Sequence, residues 1–122
     1  PIRAAPPVAA GPLVVLSSVS HPDPRLAGYL DRLGAGCRLE NLGSALLLAA
    51  LAEGRAHLYP RYNATWEWDI AAGHALLLGA GGSLHGPGGA PFPYNKPDLR
   101  NGPFLARAWS GQPAHLQLPD FP

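Results

Sequence analysis

The chain has 122 residues with a formal net charge of +1, and 47% of them are hydrophobic against 14% charged. That length suits one domain, and nine basic against eight acidic side chains leave no electrostatic footprint for a nucleic-acid polymer. Gly and Pro each occur 15 times, about a quarter of the chain and close to the level of low-complexity disorder. Leu, Ile, Val and Phe nevertheless exceed the roughly one-fifth that a foldable chain needs, so the composition describes a globular domain with Gly- and Pro-rich loops.

Residues 1–12 are rich in Pro, Ala and Gly and read as a linker or edge segment. Leu13-Val14-Val15-Leu16 is a short apolar run rich in β-branched residues, the pattern of a strand buried on both faces. Ser17 to His21 then forms the loop at its carboxyl end. Asp23-Pro24 supplies an N-cap and an N1 proline for a helix over 24–33, with Leu26, Leu30 and Leu33 on one side and Gly34 closing it. Cys37 to Glu40 is a weak strand. Asn41 or Ser44 can cap a helix over 44–53 that is apolar all round, as a helix in the interior of a layered fold is. The apolar run Leu42 to Ala52 is about half of the ~20 residues needed to cross a bilayer, so no membrane span is expected.

Further strands are expected over 56–59, ended by Pro60, and over 83–85 and 104–108. Between them, Asp69 is placed as N-cap of a helix over 69–79 that Gly81-Gly82 breaks. Strands alternating with helices indicate an α/β layered domain over 13–108, followed by an irregular tail over 109–122. Cys37 is the single cysteine and reads as a core residue, which fits a reducing compartment such as the cytoplasm. No signal peptide is visible, and there is no methionine. Pro1 therefore reads either as a mature end after loss of an initiator or as the first residue after a cut.

Few residues can carry chemistry. Glu67 and Asp69 stand two apart, between and beside two tryptophans, at a helix start. A carboxylate fixed there can ligate a hard cation, or it can simply accept the free N–H groups of the first turn. Glu67 reads as a solvated or paired surface acid. His74 reads as a satisfied helix histidine, and His21 lies in a loop where open α/β sheets place ligand contacts. His57, His85 and His115 show no partner pattern. No Gly-x-Ser-x-Gly elbow, His-Glu-x-x-His or phosphate-cradling glycine loop occurs.

The segment Ala52-Glu53-Gly54-Arg55-Ala56-His57-Leu58-Tyr59-Pro60-Arg61-Tyr62, followed by Trp68-Asp69-Ile70-Ala71-Ala72-Gly73-His74-Ala75, strongly resembles the inositol monophosphatase superfamily. Within it the nearest branch is the bacterial CysQ-type 3'(2'),5'-bisphosphate nucleotidases. Ser18-Val19-Ser20-His21, Leu42-Gly43-Ser44-Ala45 and Tyr94-Asn95-Lys96-Pro97-Asp98-Leu99 resemble further family loops in family order, and Pro1-Ile2-Arg3 resembles a mid-chain junction.

The resemblance implies the carboxyl-terminal half of an α-β-α-β-α sandwich with a mixed sheet and packed helices. It also implies Mg²⁺-dependent hydrolysis of a small phosphorylated substrate: the 3'-phosphate of 3'-phosphoadenosine 5'-phosphate or, alternatively, an inositol phosphate. Asp69 takes the role of metal ligand, and Ser20, His21, Gly43 and Ser44 face the substrate. The family's earlier Glu and its Asp-Pro-x-Asp-Gly-Thr motif have no counterpart here. The chain alone is therefore expected to be inactive, completed by an amino-terminal half as a covalent or separate partner, or else to be a natural non-catalytic binding module. Val19 and Leu47 stand where the family has Arg and Lys, each removing a positive charge from the expected substrate site.

Overall fold

The structure, a computed structural model, describes residues 1–9, 11–18, 23–43, 46–111 and 113–121. Strand β1 (Leu13–Ser18) is buried along its whole length, as its unbroken apolar run requires of a central strand. Helix α1 (Pro24–Leu33) follows, capped by Asp23, whose Oδ1 accepts the Arg25 N–H at 2.8 Å. The Arg25 side chain also bonds to this carboxyl group, and together they hold its pKa down at about 2. Strand β2 (Cys37–Leu42) then returns parallel to β1, in register from Leu13–Cys37 to Ser18–Leu42.

Helix α2 (Leu47–Ala52) leads to strand β3 (Leu58–Arg61), which lies parallel to β1 on the side away from β2. After a two-residue strand β4 (Thr65–Trp66) come helix α3 (Glu67–Gly79), β5 (Ser83–His85), the short β6 (Arg100–Asn101) and β7 (Phe104–Arg107). The main sheet has the order β2-β1-β3-β7-β5 with β7 antiparallel to both its neighbours, and β4 pairs with β6 in a separate ladder. This is a mixed α/β architecture, as expected.

The crossover from β1 to β2 and the next one, from β2 back past β1 to β3, run in opposite directions across the sheet. Because such crossovers are right-handed, they put α1 and α2 on opposite faces of the sheet. Helix α3 packs against α2, and the core is formed by β1, β3 and β7 with Leu47, Leu51, Ile70 and Leu77 from these two helices. The close crossing depends on Gly73, where a Cβ would sit 2.7 Å from Leu48 Cδ1. On the other side, Phe121 of the irregular tail is buried between Tyr29 of α1 and Tyr62, with ring centroids 5.8 and 5.0 Å away.

Several expectations shift by a turn or less, and each shift has a cause. Asp69 is not the N-cap of α3; the helix begins at Glu67 with Trp66 as cap, because the β4–β6 ladder sets where the chain turns. Pro60 does not end β3 but lies within it. Beside β3 the β1 ladder pairs only Val15 with Leu58, so the proline's missing N–H falls where β1 offers no partner. Helix α2 starts at Leu47 with the exposed Leu46 as cap, Asn41 belongs to β2, and Ser44 lies outside the described residues. Cys37 is only half-buried, with its Sγ 3.3 Å from the Gly34 carbonyl oxygen.

Candidate active site

The strand order reverses at β1: the chain passes first to β2 on one side, then to β3 on the other. Open α/β sheets bind ligands in the crevice at the carboxyl ends of the strands at such a point. Here Ser17, Ser18 and Asp23 face Arg61, Tyr62 and Asn63 across it. The Ser18–Leu42 pairing brings the ends of β1 and β2 level. Of the residues expected to contact substrate, Ser20, His21 and Ser44 lie outside the described residues, as does Val19. Gly43 is exposed, and its carbonyl accepts the Leu46 N–H at 2.9 Å.

The second half of the site is the start of α3. Asp69 occupies its first turn and is exposed, with Oδ2 accepting the Trp66 backbone N–H at 3.1 Å. That contact serves the capping role the sequence allows. Asp69 borders a cleft of about 690 Å³ between α2 and α3, shared with Leu48, Tyr59, Arg61, Thr65 and Gly73.

Arg61 lines both this cleft and the β1–β3 crevice. Its side chain is buried, with Nε 3.3 Å from the Asn63 carbonyl oxygen and Nη1 3.3 Å from Tyr59 Oη. Among the described residues no carboxylate lies within ion-pair distance of it. A buried guanidinium satisfied only by neutral acceptors is suited to an anion. Leu47, where the resemblance expects a lost positive charge facing substrate, is instead fully buried in the core.

Glu67 is the residue that sequence reasoning places least well. Rather than a surface acid, it is buried, accepting the Asn95 N–H at 2.7 Å, the Lys96 N–H at 3.3 Å and the Lys96 ammonium. The Lys96 ammonium is the main influence holding its pKa below the ordinary carboxylate value; burial opposes it, and the two N–H bonds add to it. His74 is satisfied, as expected, through a 2.7 Å hydrogen bond between Nδ1 and Tyr94 Oη. Burial keeps the His74 ring pKa low, and burial followed by the Glu67 charge pushes the Tyr94 phenol up to about 12. His57 does have a partner, the Val14 N–H, which it accepts at Nδ1 over 2.9 Å. Glu67 and Lys96 were missed because their partners are distant in sequence or lie in irregular loops, and Arg61, whose partners are two residues away, because nothing local marks its side chain as buried. One signal was available for Lys96: it is the only lysine in the chain.

Among the described residues no three His, Cys, Asp or Glu side chains gather closely enough to hold a metal. Asp69 is a single carboxylate, and a hard cation takes about six oxygen ligands. The residues present therefore fit one edge of a metal site, not a whole one.

The site thus defines a doubly wound α/β domain with an acidic helix start beside a buried arginine at its switch point. Residues 3–118 match the model of the inositol monophosphatase family, and the chain belongs to that family. It is 46% identical over 83 residues to the 3'(2'),5'-bisphosphate nucleotidase CysQ of Escherichia coli (strain K12), a match covering 68% of this chain and 33% of that protein. An uncharacterized protein in the pss 5' region of Rhizobium leguminosarum bv. phaseoli is 42% identical over 83 residues, covering 63% of this chain and 85% of that one. Among solved structures, CysQ from Bacteroides thetaiotaomicron superposes with a TM-score of 0.75 at 35% identity, over 83% of this chain and 39% of that one. The chain spans about a third of the length of the CysQ relatives it matches.

Proposed function

We propose that this chain supplies the carboxyl-terminal part of a Mg²⁺-dependent phosphomonoesterase acting on a bisphosphate nucleotide such as 3'-phosphoadenosine 5'-phosphate. The observation that carries the reading is the Asp69 carboxylate, fixed through Trp66 at the mouth of a cleft that also holds Arg61, a buried guanidinium with no carboxylate partner among the described residues. The relatives named as bisphosphate nucleotidases support the substrate class. Magnesium, when bound, supplies charge neutralisation at the phosphoryl oxygens and lowers the pKa of an attacking water. Asp69 offers one ligand oxygen, and Arg61 offers a phosphate the cationic partner that Leu47 does not. Gly43 and the turns around Ser20, His21 and Ser44 frame the nucleotide. The remaining ligands come from an amino-terminal half, covalent or separate, and the chain alone is inactive. A cytoplasmic setting suits the lone thiol of Cys37.

A second reading, a short non-catalytic member of the family acting as a binding module, draws on the Rhizobium relative, most of whose length the match covers. One experiment separates the two. Inorganic phosphate release from 3'-phosphoadenosine 5'-phosphate and from an inositol monophosphate is measured with Mg²⁺. The chain is assayed alone and mixed with the amino-terminal portion of the E. coli relative. The expected result is activity in the mixture only, on the nucleotide, falling by orders of magnitude in Asp69→Asn. The same variant keeps a capping oxygen, so its stability should change by well under the ~1 kcal/mol of a lost cap. Undiminished activity in Asp69→Asn overturns the ligand role. A mixture that cleaves only the inositol phosphate moves the substrate class, and a mixture inert on both favours the binding module.

A further inference from the structure

The chain carries eight arginines but a single lysine, Lys96, and that lysine is three-quarters buried. Its ammonium donates to Glu67, to the Pro93 carbonyl at 3.2 Å and to Asn101 Oδ1 at 3.0 Å, so all three of its protons have partners. The network continues on both sides. Asn101 Nδ2 donates to Thr65 Oγ1 at 3.1 Å, the Glu67 N–H donates to the Leu99 carbonyl at 2.9 Å, and Glu67 Oε1 accepts from Asn95, which holds a left-handed φ of 59°. Three acceptors arranged around a point charge suit an ammonium; the planar fork of a guanidinium cannot meet them in the same way.

The bonds that cross from the 93–101 loop reach Thr65 and Glu67, the two residues flanking Trp66 at the entry to α3. The N–H of Trp66 is in turn the group that holds Asp69 Oδ2. We infer that the Glu67–Lys96 pair is a positioning device: it clamps the 93–101 loop onto the start of α3, fixes the Trp66 peptide, and through it aims the Asp69 carboxylate into the cleft. Glu67 and Lys96 are positioning residues in this scheme and touch no substrate. The inference rests on the role given to Asp69 above for its functional meaning, while the clamp itself can be tested without any catalysis.

The test follows amide hydrogen exchange in the 122-residue chain and in Lys96→Met, Lys96→Arg, Glu67→Gln and Asp69→Ala. Losing the ion pair should speed exchange at Trp66 and Asn95 roughly ten- to a hundredfold, the equivalent of one charge-assisted hydrogen bond. Val15 and Leu77 in the core should keep their protection, which also shows that each variant is folded. Lys96→Arg should fail to restore Trp66, and Asp69→Ala should release Trp66 while leaving Asn95 protected. In ¹⁵N-lysine-labelled protein, the single ammonium should give a slowly exchanging resonance that Glu67→Gln abolishes. Wild-type protection of Trp66 in Lys96→Met, or of Trp66 in Asp69→Ala, overturns the inference. So does acceleration spread evenly over Val15, Leu77 and Trp66, which would mark the pair as general stabilisation. Failure of the phosphatase assay with these exchange results intact would instead remove the proposed function and leave the clamp standing.

Discussion

His57 shows how far a residue's role depends on chain it does not adjoin. Its Nδ1 takes the place of a backbone acceptor for Val14, 43 residues away, so the ring must be neutral at that nitrogen. Burial is the main cause that lowers its pKa, with the charge of Arg38 adding to it. A histidine whose folded pKa is depressed stabilises fully above its unfolded value of 6.5 and loses that contribution as pH falls through the folded value. His74 is depressed in the same direction. The urea midpoint should therefore drop between pH 7.5 and 5, and less steeply in His57→Gln, which cannot titrate. His57→Leu strands the Val14 N–H and should cost about 1–3 kcal/mol at pH 7.5; an unchanged midpoint would refute the assignment. The Asp23 cap was legible because its partner is two residues away. The Glu67 anchor and the His57 acceptor were not, since nothing local marks a partner 28 or 43 residues distant.

Elements were legible where a local pattern and the tertiary demand agree. Helix α1 has its cap, its N1 proline and its closing glycine in sequence, and it spans the residues expected. The buried run of β1 and the three residues of β5 were likewise readable. The two-residue ladder of β4 and β6 was not, because pairs that short exist only where the Glu67 network brings the loop to α3. Gly73 links the two kinds of information. Ala normally favours a helix over Gly by about 1 kcal/mol, but a Cβ here would lie 2.7 and 2.9 Å from Leu48 side-chain atoms. Overpacking of that kind typically costs about 1–3 kcal/mol. Gly73→Ala should thus lower the melting temperature, and adding Leu48→Ala should recover part of the loss in a double-mutant cycle. Simple additivity of the two changes would show that the helices do not meet there.

At the scale of the whole molecule, the outer side of the α2–α3 layer gathers several of the exposed apolar side chains among the described residues. Trp68, Ala72 and Leu76 recur at four-residue spacing on α3, Trp66 stacks on Trp68 with centroids 4.8 Å apart, Leu76 is exposed beside the cleft, and Leu46 is exposed at the start of α2. A helix apolar on every side belongs in an interior, and the CysQ relatives are about three times as long as the matched segment. Trp68→Glu should accordingly abolish association with an amino-terminal portion of a relative, measured by titration calorimetry, while leaving this chain's own melting temperature within about 1–2 °C because the side chain is already exposed. Binding that survives the substitution would place the contact elsewhere. The two rims of the sheet have the opposite character. One is β2, whose outward residues include the Arg38–Glu40 ion pair, and the other is β5, only three residues long. An unpaired strand is a template onto which another chain can hydrogen-bond, and charge or brevity at the rim discourages it. A partner on the helical face must match a shape, whereas at a backbone edge any extended peptide would do, and it is there that the charges of β2 and the brevity of β5 stand guard. Arg38→Val combined with Glu40→Val should leave the fold intact and turn β2 into a nucleus for fibrillar aggregation.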